Sequence, residues 1–587
     1  MASPRQRRQP ARAARGPAAS DAAAVAAEPG AEAAAVPISL EGILWATLLL
    51  IAAGLRLLSL DRLPFTEAES ARAFAAWAVS EGSVPHAWPG DVTAALTSHL
   101  FRIFGSSETL ARIVPAVAGS ALVASFWFAG RYFGRGVALL AAALITLSPL
   151  AVFTSRSGLG FAVGALLSLT MVLSLLDYVE RPRRTAAVVL AAAFALALAS
   201  DPIATATAGA IVVFLAIETA WRRGGPVSEA AAAFRATPEH WRPAAVSLAV
   251  ALLLGVVQFG TDVDRLSLPG LRQWVDMFAL PRDGLPWHYQ LSLLLAYEWP
   301  LLLAGAAGYL LLIDRSLRSG GLSLGQRLLA VWTTVAIVTI AFTTRREPGQ
   351  LLLLLLPFSL IAASFVQEVA SRTDWSVLRR WWPAAALVLA LGSYIGIQLS
   401  RWSRVAPFAE GEQSYTVLAL LAAAAVLAAG VYYLQRNAPS FALPIVAALA
   451  IPFLVHSSLS LGFRDGAEFA AAGRATTAVA PFRAAVAGAA TEAGVPATVD
   501  VGLRDRLGWS LRDLPVAYGD PTNGSPLVTA AGSTPPAGYE PLGSPWRISE
   551  SWTLDDFRLL PTWRWFVYRQ GNGSLSGVDV QILVPSQ

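Results

Sequence analysis

Apolar residues dominate most of this chain and recur in long runs separated by short polar stretches. Runs of about 20 apolar residues repeat up to position 462, and each is long enough to cross a hydrocarbon core of about 30 Å as a helix. We predict about thirteen membrane spans from this pattern. Their approximate ranges are 40–60, 109–130, 136–154, 158–179, 185–200, 203–221, 244–262, 288–313, 325–343, 349–368, 382–399, 415–434 and 441–462.

Two further segments do not have the spanning pattern. The loop 61–108 contains two amphipathic stretches, Glu69–Ser80 and Val92–Phe104, which we predict to be helices lying at the membrane surface. The segment 463–587 is polar and rich in Gly and Pro, with short β-prone runs at 497–501, 564–568 and 578–584. The predicted fold is therefore an all-α polytopic membrane protein with a small mixed α/β domain at its C-terminus.

Composition and charge agree with a membrane protein and set its predicted topology. Of 587 residues, 55% are hydrophobic and 14% charged, against about 25% charged in soluble domains. All 44 basic residues are Arg, and most of them stand at the ends of apolar runs. A nucleic-acid-binding protein would cluster them in one stripe, so we exclude nucleic acid as a partner. Cys is absent, which excludes disulfides and thiol chemistry.

The positions of the Arg residues predict which side of the membrane each loop faces. The segment 1–36 carries five Arg and is predicted to be a disordered cytoplasmic tail, followed by a retained first span. Alternate later loops are also Arg-rich, as the positive-inside rule requires. The membrane domain is predicted to comprise residues 37–462. Because the tail is predicted to be cytoplasmic and the number of spans is odd, the loop 61–108 and the domain 463–587 are both predicted to lie on the outer side of a plasma membrane.

The first candidate for chemistry is the acidic pair Glu67 and Glu69, directly after the first span. Carboxylates at a membrane–water boundary can act as a general base or bind a metal. The structural alternative is a capping box, in which Thr66 caps a helix and Glu69 occupies its third position. The sequence leaves both interpretations open.

The second candidate is the pair Arg345 and Arg346, which face outward in the predicted topology, against the general trend. Guanidinium groups bind phosphate through two parallel hydrogen bonds, so this pair could hold a lipid phosphate, and Arg156 after the third span could assist. The alternatives are an ordinary polar turn for the pair and a snorkelling side chain for Arg156.

Further ionisable residues stand at predicted outer ends of spans or within them. Glu298 falls about 16 Å into the eighth span, where a carboxylate is costly and therefore a functional hypothesis. A Glu lining a polar cleft, or a helix broken at Pro300, is the alternative. Asp91, Asp201, His288 and Glu298 are predicted to line an outer cleft, and Asp262 and Asp264 after the seventh span are further candidates.

Several short motifs occur in an order that resembles a known superfamily. They are Leu63-Pro64-Phe65, Ser107-Glu108-Thr109-Leu110-Ala111-Arg112, Phe133-Gly134-Arg135, Leu147-Ser148-Pro149, Ser155-Arg156, Glu180-Arg181-Pro182, Pro286-Trp287-His288-Tyr289, Tyr297-Glu298 and Trp509-Ser510-Leu511-Arg512-Asp513. The chain resembles the GT-C membrane glycosyltransferases of the protein mannosyltransferase type, and within them the flippase-activity-associated family of archaea and bacteria.

The resemblance implies an enzyme that takes a sugar from a polyprenyl-phosphate donor on the outer membrane face and transfers it to a glycan, lipid or protein. By the same resemblance, Glu67 or Glu69 takes the catalytic carboxylate role, Arg346 holds the lipid phosphate, and Asp201 and His288 line the cleft. The metal requirement stays open. The chain departs from the family pattern at Ala68, where an Asp is expected, and at Pro89-Gly90-Asp91, where His-Gly-Pro is expected.

This departure keeps a second class of function open. The alternative to a glycosyltransferase is a non-catalytic GT-C-like protein that binds lipid-linked glycans or assists their translocation. A secondary transporter is a third hypothesis, although the sequence shows neither repeated halves nor a matched pair of broken helices. A catalytic arrangement would place Glu67 and Glu69 in one cleft with Arg346 and Glu298.

Overall fold

We describe the fold from a computed structural model. It describes residues 39–83, 85, 88–261, 268–280, 285–319, 321–404, 413–520, 524–552, 558–570 and 575–586. The predicted tail 1–36 and the candidates Asp262 and Asp264 lie outside these residues.

The first half of the chain is helical from the start of the first span. The helices are α1 (Leu40–Leu57), α2 (Glu67–Ser80), α3 (Val92–Phe104), α4 (Glu108–Phe133), α5 (Arg135–Leu147), α6 (Pro149–Arg156), α7 (Phe161–Glu180), α8 (Arg184–Ser200), α9 (Pro202–Trp221), α10 (Pro226–Ala236) and α11 (Pro238–Val256). Both helices predicted in the first loop are confirmed as α2 and α3. Each begins at a side-chain cap, Thr66 for α2 and Asp91 for α3.

The helical part continues to residue 463. Its remaining members are α12 (Pro269–Asp276), α13 (Tyr289–Tyr297), α14 (Trp299–Ser319), α15 (Leu324–Phe342), α16 (Leu352–Arg372), α17 (Trp375–Trp402) and α18 (Gln413–Phe463). The segment 415–462, predicted as two spans, is one continuous helix in α18.

Eight helices in the described part of the chain are long and apolar enough to cross a membrane, and nine if the bent pair α5 and α6 is one span. All thirteen predicted spans coincide with helices, but the count of thirteen is not confirmed. The four others are α8, α11, α17 and the beginning of α18, which do not meet the same requirements of length and apolar character.

A sharp break divides α5 from α6, whose axes differ by 63°. Ser148 caps α6 and Pro149 occupies its first turn, which is where proline is tolerated in a helix. Three other helices complete the hydrogen bonds at the break. Arg56 of α1 donates to Ile145 O, and Ser458 of α18 donates to Leu147 O. The third partner is Glu298, described below.

Ion pairs join the helices at the Arg-rich end of the bundle. Arg131 at the end of α4 pairs with Asp177 of α7 at 2.9 Å, and Arg327 at the start of α15 pairs with Glu218 of α9 at 2.7 Å. The loop 61–108 and the C-terminal domain lie at the opposite end, where α4 begins. This arrangement agrees with alternating Arg-rich loops, while the side of the membrane that each end faces stays a prediction.

The C-terminal domain is a seven-stranded sheet with three helices. Its elements are β1 (Arg474–Ala475), α19 (Val479–Ala493), β2 (Ala497–Val499), α20 (Arg504–Leu511), β3 (Val516–Tyr518), β4 (Leu527–Ala530), β5 (Tyr539–Pro541), β6 (Trp546–Trp552), α21 (Leu559–Tyr568) and β7 (Leu575–Pro585). The strand order is β1-β6-β7-β4-β2-β3, with β5 on β7. The pairs of β2 with β3 and with β4 are parallel, and the others are antiparallel.

Two of the three predicted strands are confirmed, as β2 and β7. The third, 564–568, is wrong because this segment is the end of helix α21. Its aromatic residues favour strands in isolation, but tertiary packing decides here. Trp565 is buried against Tyr297 and Phe469, and its indole N–H donates to Ala467 O at 2.7 Å.

Candidate functional site

The loop 61–108 is joined to the C-terminal domain by backbone hydrogen bonds. Glu67 N donates to Gly473 O at 2.9 Å, and Ala475 N donates to Phe65 O at 2.9 Å. Thr66 and Arg474 form an antiparallel bridge between these two bonds. The start of α2 is therefore held against β1, and the position of its acidic residues is determined by the C-terminal domain as well as by the loop.

Glu69 has the structural role that its position in the helix predicts. The capping box with Thr66 is confirmed: Glu69 N donates to Thr66 Oγ1, and Thr66 N donates to Glu69 Oε2 at 3.0 Å. The same carboxylate is bound by Arg112 of α4, with Nε–Oε1 at 2.8 Å and Nη2–Oε2 at 3.1 Å. Gly158 N donates to Oε1 at 3.0 Å. Glu69 is only 3% exposed, and its contacts hold α2, α4 and the segment between α6 and α7 together.

The electrostatics of Glu69 favour its ionised form. Burial alone would raise the pKa of its carboxyl. The Arg112 charge and the hydrogen bonds from Arg112, Thr66 and Gly158 outweigh burial, so the pKa lies below the usual Glu value.

Glu67 has a different environment, because it lines a cavity of about 300 Å³ between α2 and the C-terminal domain. Its Oε1 lies 2.7 Å from Arg506 Nε of α20, and its side chain is 38% exposed. The cavity is also lined by Arg483, Arg512 and Glu108. Of the two predicted catalytic carboxylates, Glu67 is the one that a bound molecule could reach.

Ala68, which stands where the resembling family has Asp, is exposed at the first turn of α2. Glu69 matches the following Glu of that family pattern, and the structure gives it the buried, Arg-bound position described above. The chain therefore keeps the Glu of the two-residue acidic motif, which has a structural role here, and has the methyl side chain of Ala68 in place of the Asp.

A second, small cavity lies at the C-terminal ends of α1, α6 and α18, next to the loop 61–108. Its volume is about 20 Å³, close to that of one water, and Arg156 and Arg474 line it together with Arg112 and Glu69. Arg474 is buried, its Nε and Nη1 make no hydrogen bond, and its nearest carboxylate is Asp465 at 3.6 Å. A guanidinium in this state is suited to bind an anion.

Arg156 is partly committed to the protein backbone. Its Nη1 donates to Leu55 O and Leu58 O, its Nη2 donates to Ser59 O at 2.8 Å, and its guanidinium stacks on Phe463 at 4.0 Å. Arg156 thus satisfies the carbonyls at the end of α1 while contributing positive charge to the small cavity.

The predicted phosphate-binding pair Arg345 and Arg346 lies in the loop between α15 and α16. Arg345 is exposed, whereas Arg346 is buried and donates from Nη1 to Leu285 O at 2.9 Å. Buried Gln350 fixes the loop by donating to Arg345 O and accepting from Gln290 of α13. Neither Arg lines a cavity that also contains Glu67 among those described here.

Asp91 and Asp201 both lie near Arg72 of α2. Arg72 Nη2 lies 2.5 Å from Asp91 Oδ2, which also accepts from Gln273. Asp201 caps α9 through Ile203 N at 2.7 Å. Its burial, and then the nearby Asp91 charge, raise the pKa of Asp201 to about 7. Both carboxylates are almost fully buried and act as helix caps, so the structure does not place them on an open cleft.

His288 and Glu298 lie at opposite ends of α13 and do not share an environment. His288 is exposed beside Trp287. Glu298 is fully buried, and its Oε1 accepts from Ser148 Oγ at 2.5 Å and from Leu150 N at 2.9 Å. Glu298 therefore caps α6 at the break in the bent span, the role of a carboxylate at a helix N-terminus. The expected single cleft containing Glu67, Glu69, Arg346 and Glu298 is not among the cavities described here.

The described residues contain no group of three or more His, Asp or Glu placed to hold a metal ion. The polar chemistry at this end of the molecule comes instead from carboxylates and guanidinium groups. Sequence reasoning missed Arg506, which the fold brings to Glu67, and Arg474, which it brings to the small cavity beside Glu69, each from more than 400 positions away. Both residues lie in the polar C-terminal segment, and no motif or spacing in the sequence indicates that they lie near the first loop.

Comparisons with known proteins identify a similar sequence family and similar solved structures. Residues 90–232 match the sequence family described as dolichyl-phosphate-mannose-protein mannosyltransferase. A comparison with curated proteins finds no significant match. Two crystal structures of ArnT from Cupriavidus metallidurans share the fold. The one bound to undecaprenyl phosphate has a TM-score of 0.54 and 15% identity, covering 83% of this chain and 93% of that one.

The apo form of the same ArnT has a TM-score of 0.52 and 16% identity over 83% of this chain and 92% of that one. The apo oligosaccharyltransferase of Archaeoglobus fulgidus has a TM-score of 0.49 and 12% identity, covering 80% of this chain and 63% of that one. The narrower resemblance to the flippase-activity-associated family stays a prediction. The chain is a polytopic membrane protein with the fold of the GT-C glycosyltransferases.

Proposed function

We propose that this protein is a membrane glycosyltransferase that uses a polyprenyl-phosphate-linked sugar on the outer membrane face and transfers the sugar to a hydroxyl of a glycan, lipid or protein. The single observation on which this rests is the position of Glu67. It is a reachable carboxylate in a cavity of about 300 Å³, at the membrane end of a GT-C fold. The ArnT structure bound to undecaprenyl phosphate supports the donor class.

In this proposal Glu67 is the general base. Its carboxylate takes the proton of the acceptor hydroxyl as the hydroxyl oxygen bonds to the anomeric carbon of the sugar. The bond from that carbon to the phosphate oxygen breaks, and the polyprenyl phosphate leaves with the electron pair. Arg506 Nε lies 2.7 Å from Glu67 Oε1 and places a positive charge beside this carboxylate.

The leaving phosphate needs positive charge at the membrane boundary, and the small cavity supplies it. Arg474 has two nitrogen atoms without hydrogen bonds, and Arg156 lies beside it. We propose that one phosphate oxygen enters this cavity and that the rest of the lipid lies outside it, because its volume is about that of one water. Arg345 and Arg346 stay as predicted contacts for the lipid from the loop before α16.

Glu69 is not needed as a base in this scheme. Its bidentate pair with Arg112 and its burial give it a positioning role, in which it sets the direction of the first turn of α2 and hence of Glu67.

The test is sugar transfer by the full-length protein in liposomes. The donors are undecaprenyl-phosphate mannose and undecaprenyl-phosphate glucose, each radiolabelled, with host membrane extract as acceptor. Glu67→Gln keeps the shape of the side chain but not the base, and we expect the turnover number to fall at least about 100-fold. Glu81→Gln, an exposed Glu at the end of the same helix, is the charge-matched control and should keep full activity. Equal activity of Glu67→Gln and the control would exclude Glu67 as the base.

A non-catalytic protein that binds lipid-linked glycans is the second candidate, and exposed Ala68 in place of the expected Asp favours it. This candidate predicts that the natural chain binds labelled undecaprenyl-phosphate sugars without turning them over. It also predicts that Ala68→Asp creates transfer activity. Activity in the natural chain would exclude it.

A further inference from the structure

Helix α21 belongs to the C-terminal domain in sequence, but it packs against two helices of the membrane domain. It stands between strands β6 and β7, and its ten residues include two Trp, one Phe and one Tyr. His456 of α18 donates from Nε2 to Phe566 O at 2.9 Å. Trp563 Nε1 donates to Ser400 Oγ of α17 at 3.0 Å. The helix therefore lies on the surface that α17 and α18 form together.

The contacts with α18 fall within the apolar part of that helix. The segment Leu443–Phe463 is long and apolar enough to be a membrane span. Phe566 stacks on Phe453 with ring centroids 5.0 Å apart, and Phe453 lies about 15 Å from the end of α18 at about 1.5 Å per residue. Closer to that end, α18 exposes Val455 and Leu459. Helix α21 thus meets α18 at a depth where the exposed residues of α18 are apolar.

The contacts with α17 lie near the end of that helix. The indole of Trp563 is in van der Waals reach of Gly396, about 9 Å before the end of α17. Just beyond the end, the Arg404 guanidinium stacks on the Tyr568 ring at 3.6 Å. The aromatic residues of α21 therefore lie between the apolar part of α17 and its charged end. Trp and Tyr are enriched at this level in membrane proteins, because their rings have an apolar body and a polar tip.

Helix α21 adds apolar surface of its own next to α17. Leu559 is 66% exposed and lies one turn before Trp563 on the same side of the helix. It therefore stands close to α17, where Ile397 is 59% exposed. A single exposed Leu is common on soluble proteins, but this one continues the apolar surface of a predicted membrane span. Arg564 is also exposed, and such a long cationic side chain can extend from an apolar surface to the water.

We propose that α21 is an interfacial membrane helix whose partner is the lipid bilayer, with Leu559 among the acyl chains of the leaflet at the Glu67 end of the bundle. Arg404 and Arg564 then lie at the level of the headgroups. Because β6 precedes α21 and β7 follows it, this helix fastens the sheet to the membrane at a second place, besides the hydrogen bonds at β1. The inference is separate from sugar transfer and does not depend on the proposed function.

The experiment measures the depth of α21 in liposomes. Because the chain contains no Cys, a single introduced Cys carrying a bimane label reports from one position. The full-length Leu559→Cys protein is placed in phosphatidylcholine liposomes containing a phosphatidylcholine with a nitroxide at carbon 5 of one acyl chain. We expect this lipid to remove about half or more of the fluorescence, since an interfacial helix lies about 5–10 Å into the boundary of headgroups and acyl chains. Leu560→Cys repeats the measurement at the next position.

Two further Leu variants are the matched controls. Leu389→Cys places the label on α17, where Leu389 is 42% exposed, and the nitroxide lipid should quench it. Leu542→Cys places it on a similarly exposed Leu of the C-terminal domain, at 41%. The backbone N–H of Leu542 donates to Ile582 O, about 23 Å along β7 from Leu575. Iodide dissolved in the water should quench this label, and the nitroxide lipid should not.

Two results would overturn the proposal. Quenching at position 559 by iodide and not by the nitroxide lipid would place α21 in water. Protection of the label from both quenchers would show that a protein surface covers Leu559. A bis-maleimide cross-link between two copies of the Leu559→Cys variant would then identify that surface as a second copy of this chain.

Discussion

Arg112 binds both carboxylate oxygens of Glu69, one from Nε at 2.8 Å and one from Nη2 at 3.1 Å, and both side chains are buried. Arg112 also donates from Nη1 to Leu60 O and Leu63 O. One guanidinium thus connects α4 to the end of the first span and to the first turn of α2. The acidic residue that most resembles a family catalytic motif is here a component of the scaffold.

Removing the buried Glu69 should therefore lower the stability of the folded protein, although it hardly changes the charge at the surface. Glu69→Ala leaves Arg112 buried without its carboxylate, and we expect a loss of about 3–5 kcal/mol in the free energy of unfolding. Denaturant unfolding of the purified protein in detergent measures it. Glu67→Ala, whose side chain is partly exposed, should lose less than about 1 kcal/mol. Similar losses in both variants would contradict the buried network.

The same pair predicts an acid-sensitive stability. The pKa of Glu69 is lowered in the folded protein, so its contribution is complete above the unfolded value of about 4.3 and is lost as the pH falls through the folded pKa. Arg112→Gln should shift the acid-unfolding midpoint upward, as monitored by tryptophan fluorescence between pH 2 and about pH 6. An unchanged midpoint would show that another group controls acid unfolding.

Asp201 predicts the opposite dependence. Its pKa is raised to about 7, so the folded state holds a proton that the unfolded state releases near pH 3.9, and stability falls as the pH rises between about 4 and about 7. Asp201→Asn keeps an oxygen to cap Ile203 N and removes the titration. We expect the variant to be more stable than the natural chain at pH 8, and this advantage to shrink at pH 5. Parallel melting curves at both pH values provide the measurement.

Arg474 offers a test of the donor phosphate that does not rely on turnover. Arg474→Gln should weaken undecaprenyl phosphate binding about tenfold, as expected for loss of one charge-assisted contact. Arg547→Gln is a suitable control, because Arg547 is partly exposed, pairs with Asp579 and lines neither cavity. Microscale thermophoresis with the lipid alone gives both affinities. Equal affinities for the two variants would remove Arg474 from the proposal.

The break between α5 and α6 predicts a cost at Glu298. Glu298→Ala leaves Ser148 Oγ and Leu150 N without their buried acceptor, each worth about 1–3 kcal/mol. We expect a lower unfolding midpoint than for Glu229→Ala, which removes an exposed Glu from α10. If the two variants unfold alike, the hydrogen bonds of Glu298 do not support the break.

The sequence allowed the helices to be predicted far better than the contacts between them. Apolar runs identify helices because each must satisfy its own backbone in lipid, and every predicted span coincides with helix, although two spans are each broken into two helices and two others are joined in α18. The capping box at Thr66 and Glu69 could also be read, because it depends on residues three positions apart. The helix α21 was missed because the burial of Trp565 depends on Tyr297, which is 268 positions away.

For the candidate site as well, features that depend on neighbouring positions could be predicted, and contacts between distant residues could not. The sequence singled out Glu67, Glu69 and Arg156 as candidates, because each of them stands at the end of an apolar run. The buried role of Glu298 could not be read, because the Ser148 hydroxyl and the Leu150 amide that it binds come from another helix. The guanidinium groups of Arg474 and Arg506 meet the first loop only after the chain has crossed the membrane repeatedly and folded its C-terminal sheet.

The backbone hydrogen bonds between the first loop and β1 have a mechanical consequence. Glu67 N to Gly473 O and Ala475 N to Phe65 O act like one more rung of the sheet, so the C-terminal domain cannot rotate away from α2 without breaking them. If Glu67 is the base proposed above, a large acceptor would enter through the side of the cavity, because lifting the C-terminal domain would break these bonds.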